Sequence, residues 1–526
     1  MVPHGSRAAA VNRVGQFARI AVYGFMLTFF VVPIVLIGYR GLVAVAWDLL
    51  AEIPPVLWST LVQAFTSTCL ALIVALPISW AIMRLPGRWA NAVLLWVAVP
   101  FIVPTPVAAA MVSASCGPQT WCGTVFGVEV AQGFGFVVIV QAWYNAGLIV
   151  RVVSQAWSGI SLRYHSAAAT LAAPPLRQFW SITLPLLMPA IINSVLLVLL
   201  YCIGSFGVIV LLGGGRLVSI EVEIWRQITQ FLRIDTATLL ALVQLLLSIT
   251  LLAGADWIGT GLRYTYAVPR RASRKRWSEW LALSFLMVTI FVFVLPYFTL
   301  IPKALGTSQS FSAFYNLQFP VRGSGISHSP LEALWRSVWV AALVTVLTMS
   351  IAWVATNPRT RLRQLVVLPL GVSTITLSLG YVLWFGSLGW LASPWVLVAV
   401  HTIMATPLVA RQVLVARDRL PAQYADAAQT LGAAQGRLLW GIVFPLLRRP
   451  LTAAAIFAFA LSLGDYAAAL VLTRPDSATA PVLIARMLNR PGAMNYAMSA
   501  ALSLVLIACC VVVMLFVQRA SAGRER

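Results

Sequence analysis

Asp465 sits in an apolar run, Leu463-Gly464-Asp465-Tyr466, and Ser205, in Gly204-Ser205-Phe206-Gly207, occupies the same register 260 residues earlier. A carboxylate inside an apolar span is costly unless it is paired or wet, so it faces a partner or an internal cavity. Two roles fit. Either Ser205, Phe206, Asp465 and Tyr466 line a path or its gate, or the polar pair makes structural hydrogen bonds to backbone loosened beside Gly204 and Gly464. A proton relay is disfavoured, because no second buried carboxylate or histidine is expected beside Asp465. The triple glycine Gly213-Gly214-Gly215 needs unusual backbone freedom and marks a gate or a tight turn. Other chemistry is missing. The sequence has no G-x-x-x-x-G-K-[ST] phosphate loop and no G-x-S-x-G or H-E-x-x-H motif, and its four histidines are scattered with no CxxC pair. Neither catalysis, ATP hydrolysis by the chain itself nor a metal site is expected.

A longer pattern occurs twice. Ser166-Ala167-Ala168, Ala172 and Ile182-Thr183-Leu184-Pro185 are matched by Asp426-Ala427-Ala428, Gly432 and Ile442-Val443-Phe444-Pro445. The register continues through Arg151 and Arg411, Tyr164 and Tyr424, and Gly204 and Gly464. Core packing would preserve apolar character between repeats; it would not preserve a short polar helix, a turn and a proline at fixed distances. Ala167, Ala168, Ala427 and Ala428 are expected to form a small-residue face for close approach to a partner. Gly432 ends its helix cheaply with φ > 0. Ala172 does so less readily, so Pro174-Pro175 is expected to set the first turn. Pro185 and Pro445 are expected where the next helix begins or kinks. Arg163, Arg177, Arg417, Arg419 and Arg437 surround the two motifs, either as partner contacts or as topology signals.

The elements that hold these residues are membrane helices. Charged residues make up 10% of the chain against about 25% in soluble domains, hydrophobic residues make up 60%, and the mean hydropathy is +0.90. A net charge of +22 would point to nucleic acid in a soluble protein, but here the basic residues lie in short runs between apolar stretches, so no nucleic-acid partner is expected. A span takes roughly 20 apolar residues. Twelve are expected, at about 17–39, 57–83, 89–113, 133–151, 182–212, 237–262, 279–301, 332–356, 364–386, 393–413, 442–473 and 496–518. With both termini in the cytoplasm, 26 of the 36 Lys and Arg residues fall on the cytoplasmic side, which fixes the orientation. The first apolar run is too long for a secretory signal and lacks a small-residue cleavage site.

The basic segment around Arg270-Arg271-Ala272-Ser273-Arg274-Lys275-Arg276 reads as a linker that also meets anionic lipid headgroups. It divides the chain into a tail at 1–16, a first half at 17–262, the linker at 263–278, a second half at 279–518 and a tail at 519–526. Both halves enter from the same side, making two parallel six-helix repeats in an all-α membrane fold with a pseudo-twofold path. Trp58-Ser59-Thr60-Leu61 and Trp335-Arg336-Ser337-Val338 extend the repeat. Of the six cysteines, Cys69, Cys202, Cys509 and Cys510 lie in spans, while Cys116 and Cys122 share an outward loop where both bridged and free forms are open. Glu221, Glu223, Arg226 and Arg233, then Arg474, Arg486 and Arg490, form charged rims that suit docking of a protein partner or simple solvation.

The duplicated motif resembles the E-A-A loop of the membrane subunits of ATP-binding-cassette importers, whose pattern is E-A-A, three residues, G, nine residues, I, one residue, L-P. The second copy has Asp426 for Glu and Phe444 for Leu; the first has Ser166 for Glu and Ala172 for Gly. The resemblance implies a type I importer fold in a bacterial inner membrane, with each motif a coupling helix that docks on a separate ATPase. It further implies two ATPase copies carrying ATP and Mg, no cofactor on this chain, and an extracytoplasmic binding protein that delivers a small solute. The single-chain double permease is most similar to the thiamine and ferric-iron permeases, with Ser-Leu-Gly-Asp-Tyr leaning to thiamine. Polyamine, sulfate and phosphonate importers share the broader fold. An ion-coupled secondary transporter is the alternative from another class, and the duplicated motif counts against it.

Overall fold

The computed structural model describes residues 16–43, 51–85, 87–117, 120, 123–124, 131–259, 276–306, 311–320, 328–356, 362–391, 393–433 and 435–522. The N-terminal tail, most of the basic linker and Cys122 lie outside them. All elements are helical among the described residues. They are α1 (Gln16–Val43), α2 (Ile53–Ile82), α3 (Gly87–Ala98), α4 (Thr105–Cys116), α5 (Phe134–Gly159), α6 (Leu162–Thr170) and α7 (Pro175–Ile203). Next come α8 (Gly207–Leu212), α9 (Ile220–Thr229), α10 (Ile234–Gly259), α11 (Arg276–Leu305), α12 (Ser312–Asn316), α13 (Pro330–Ala355) and α14 (Leu362–Leu365). The chain ends with α15 (Thr374–Ser387), α16 (Pro394–Asp418), α17 (Ala422–Thr430), α18 (Gly436–Gly464), α19 (Ala467–Leu472), α20 (Ala480–Leu488) and α21 (Ala493–Ala522).

Ten helices among the described residues are long and apolar enough to cross a membrane, and two bent pairs bring the number to twelve. The bent pairs are the third and ninth expected spans. The segments Ala92–Phe101 and Thr105–Cys116 meet at 100°, and Leu362–Gly371 and Thr374–Ser387 at 105°. A break at membrane depth must satisfy its own backbone. Tyr144 Oη donates to the Val103 carbonyl at 2.8 Å in the first break, and Ser373 Oγ accepts from the Thr376 amide at 3.0 Å in the second. The fifth and eleventh spans also differ from expectation. They start earlier, at 175 and 436, and stop at Ile203 and Gly464 rather than running to 212 and 473.

The described residues form two compact units, Val45–Gln309 and Met1–Ala44 with Ser310–Arg526. In the first unit, Ala64, Ala71 and Ala75 of α2, Ala142, Ala146 and Ile149 of α5 and Leu187 and Val198 of α7 form one buried cluster. Five of these eight are alanine, which lets the helix backbones approach closely, as helix association in lipid requires. The seventh expected span, α11, joins this unit: Ser115 and Thr299 share a hydrogen bond at 2.9 Å, and Trp143 packs on Phe293 and Tyr297.

In the second unit, α1 packs on α15. A π-helical turn at Leu27–Val31 widens α1, and Tyr381 Oη donates to the Phe29 carbonyl there at 2.7 Å. A Cβ on Gly380 would lie 2.7 Å from Pro33 Cβ and 2.9 Å from its carbonyl oxygen, so α1 seats only because residue 380 is glycine. Gly380→Leu is expected to push α1 away and cost about 3 kcal/mol or more, by overpacking. The melting temperature of the purified variant checks this; an unchanged value would show that α1 does not need that seat.

The repeat is visible in hydrogen bonding as well as in helix order. Thr60 of α2 accepts from the Ile220 amide at 2.9 Å, and Ser337 of α13 accepts from the Ala480 amide at 2.9 Å. In both halves a hydroxyl thus pins the start of a short helix, α9 or α20. The Trp58 and Trp335 motifs align for this reason.

Candidate functional site: paired knuckles and a polar break

The motif at 166–185 folds as a helix, a reversal and a second helix. α6 ends in a Schellman turn, in which the Ala173 amide donates to the Ala168 carbonyl at 3.0 Å. α17 ends the same way, with the Ala433 amide donating to the Ala428 carbonyl at 2.9 Å. The reversing residue is left-handed in both: φ is +74° at Gly432 and +52° at Ala172. Ala172 therefore takes the conformation that the sequence assigned away from it. Pro174-Pro175 start α7 rather than set the turn, with Pro174 as N-cap and Pro175 in the first turn.

Pro185 and Pro445 stand in the first turn of the α-helical segments Leu184–Ile203 and Phe444–Gly464. π-helical turns at Phe179–Thr183 and Leu439–Val443 immediately precede Leu184 and Phe444. A wide turn accommodates a proline that has no N–H to donate, so α7 and α18 run through it as continuous rods. Ile182 and Ile442 lie half-buried inside those turns.

The exposed surface of each knuckle differs from the expected one. Ala168 and Ala428 are buried against their own chain, while Ser166, Ala167, Asp426 and Ala427 are exposed. Two leucines missed by the sequence reading dominate the tips: Leu171 is 82% and Leu431 is 88% exposed. Tyr164 and Tyr424, then Trp180 and Trp440, repeat the exposure at matching positions. Each pair is separated by the same 260 residues as the motifs, a signal that a search for identical rather than conventional motif residues would have found.

Left-handed alanine costs roughly 1 kcal/mol relative to glycine. Ala172→Gly is expected to stabilise the first knuckle by about that amount without loss of transport. Gly432→Val has open space around its Cβ but a β-branched residue at φ +74°, so strain of order 1–3 kcal/mol falls on the turn alone. Insertion and expression should be normal while uptake falls. Wild-type uptake by Gly432→Val at equal protein levels would remove the knuckle from the coupling path.

The polar break lies at the other end of α7 and α18. Asp465 is not inside the eleventh span but one residue beyond Gly464, with extended backbone. Its Oδ1 accepts from the Ala468 amide at 2.9 Å and so caps α19. The expectation that no histidine accompanies it is overturned. His401 of α16, nearly fully buried, places Nε2 3.4 Å from Asp465 Oδ1, and its Nδ1 lies 2.9 Å from Ser462 Oγ. The sequence reading missed His401 because the two residues are far apart in the chain and lie on different helices. Tyr466 is buried at the start of α19.

In the first half, Ser205 follows the end of α7 and is half-buried, and Phe206 is buried edge-on against Trp225 at 5.8 Å. Gly214 and Gly215 have φ of +66° and +72°, as a tight turn requires. Gly213 has an ordinary helical backbone, but a Cβ there would meet the Ile209 carbonyl at 2.4 Å. The rims are also revised. Glu221 is fully buried and accepts from Gln244 Nε2, so it is not a rim charge. Glu223 and Arg226 pair at 3.4 Å, and Arg336 donates to the Asp476 carbonyl at 2.8 Å. Burial lowers the pKa of Arg486, with Tyr466 opposing the shift and Arg490 adding to it. Cys116 is disulfide-bonded, and Cys69, Cys202, Cys509 and Cys510 are free.

A family model described as binding-protein-dependent transport system inner membrane component matches the chain twice, over residues 70–264 and 267–525. The thiamine transport system permease protein ThiP of Brucella abortus is 28% identical over 91% of this chain and 90% of its own length. The protein of that name from Escherichia coli is 25% identical over 84% of this chain and 85% of its own. The molybdenum transport system permease protein ModB of Azotobacter vinelandii is 29% identical over 30% of this chain and 70% of its own.

Proposed function

Because the chain belongs to the family of binding-protein-dependent transport system inner membrane components, we propose that it is the fused permease of a thiamine importer. One polypeptide supplies both halves of the translocation path. The observation that carries the cargo assignment is coverage. Similarity to the thiamine permeases covers 91% of the chain, whereas the molybdenum permease aligns with 30% of it.

In this reading α6 and α17 stand in the cytoplasm, both termini lie on that side, and each knuckle engages one of two ATPase copies that hold ATP and Mg. Leu171 and Leu431 are the anchors, and the tyrosines and tryptophans beside them widen the contact. Movement of a knuckle passes through the π-turn and proline into α7 or α18, whose far ends carry Ser205 and Asp465. The opposite loops, with Glu223, Arg226, Arg474 and Arg490, receive the solute-loaded binding protein.

The test is reconstitution of the chain in liposomes with its ATPase and binding protein. Thiamine-loaded binding protein should stimulate ATP hydrolysis and fill the vesicles with thiamine. Stimulation by molybdate or sulfate and none by thiamine would overturn the assignment.

A further inference from the structure

The two halves place polar groups at the same registers around the break and resolve them differently. In the second half His401, Ser462 and Asp465 face one another at 2.9 and 3.4 Å. The residues 260 positions earlier are Gln141, Cys202 and Ser205. Around Cys202 the first half gathers amides instead. Gln63 Nε2 donates to the Cys202 carbonyl at 3.0 Å, and Asn145 Nδ2 lies 3.6 Å from Cys202 Sγ while donating to the Gln141 carbonyl at 2.8 Å. Gln63 is 0% and Gln141 2% exposed, yet Gln63 Oε1 and both amide atoms of Gln141 have no hydrogen-bond partner among the described residues. Buried amides are almost always paired, because an orphaned donor or acceptor bears its full desolvation cost. Three orphaned amide atoms in the first half, where the second half's matching residues leave one orphan, His401 Nε2 at 3.4 Å from Asp465 Oδ1, point to a group that enters from outside the chain.

We propose that Gln63, Gln141 and Asn145 form a solute subsite in the first half, for a neutral planar group that carries a donor beside an acceptor. A glutamine amide reads that pattern with two hydrogen bonds, as it does on an adenine edge. The inference rests on the thiamine reading above, since an aminopyrimidine ring presents such an edge. The second half places no amide side chains at these registers, so cargo is held by the first half.

The test is equilibrium binding of labelled thiamine to the permease–ATPase complex in lipid nanodiscs, without binding protein. 4′-Deaminothiamine, in which hydrogen replaces the exocyclic amine, is the comparison. Wild-type complex should bind thiamine saturably and 4′-deaminothiamine about tenfold more weakly, the worth of losing one neutral hydrogen bond. Gln141→Leu should weaken thiamine binding about tenfold and abolish the preference. The triple variant Gln141→His, Cys202→Ser, Ser205→Asp installs the second half's residues, so it should assemble normally and also bind at least tenfold more weakly.

Equal affinity for the two compounds in wild type, or wild-type affinity in either variant, would overturn the subsite. Unsaturable binding to wild type would show that the cluster holds water only and would also overturn it. Thiamine uptake in the presence of binding protein decides the proposed function separately from all of these outcomes.

Discussion

Leu171→Asp combined with Leu431→Asp is expected to strip the ATPase from the permease and abolish uptake while the membrane domain stays folded. Both side chains are more than four-fifths exposed, so their loss costs the isolated chain almost nothing. In a complex the balance is different. An apolar anchor at the centre of an interface contributes about 2–4 kcal/mol, and a carboxylate buried in its place adds a desolvation cost. Each site should therefore weaken assembly by roughly 30- to 1,000-fold, since every 1.4 kcal/mol is about tenfold. Single variants should retain one ATPase and lose concerted turnover. Stimulated hydrolysis and co-purification check the result, and full stimulation in the double variant would mean that the tips are not the docking face.

Breaking the polar pair at the second break is the other change of large effect. Asp465→Ala removes the cap on α19 and leaves His401 Nε2 facing nothing. A lost cap costs about 1 kcal/mol and a stranded buried donor about 1–3 kcal/mol more. His401→Leu keeps the cap but removes the partner of a half-buried carboxylate; a fully buried pair would lose about 3–5 kcal/mol, and Asp465 retains enough exposure to lower that figure. The double variant His401→Leu with Asp465→Ala should be markedly more stable than the two single losses added together. A double-mutant cycle on thermal unfolding checks this. Simple additivity would show that the two residues do not interact.

Much of the fold was legible because a bilayer leaves few choices. Long apolar runs must be helices, and the 260-residue register exposed the duplication. The boundaries were harder. Runs such as 182–212 are apolar throughout, so hydropathy cannot register the stop at Ile203, where Gly204 releases the helix and a new one starts after Phe206. The bend in α3–α4 was hidden in the same way, because the side chain that satisfies the broken backbone, Tyr144, comes from a different helix.

The site was legible in its location and less so in its surface. Motif residues Ala168 and Ala428 turn inward to close the Schellman turns, and that turn pushes the next residues, Leu171 and Leu431, outward. Ala172 adopted φ > 0 because the repeat's geometry outweighed the residue's own preference. His401 was invisible since histidine in an apolar helix gives no periodic signal; only alignment with Gln141 across the repeat picks out that register. Glu221 was misplaced on a rim because a charge near a loop looks exposed until its packing against α10 is known.

The most direct measurement is the native mass of the complex captured on the tagged permease from membranes that also contain its ATPase. Two ATPase copies per chain are expected, both lost when Leu171 and Leu431 are replaced by aspartate. A permease recovered without any ATPase, or one that holds two copies regardless of those replacements, would contradict a gate driven through paired knuckles.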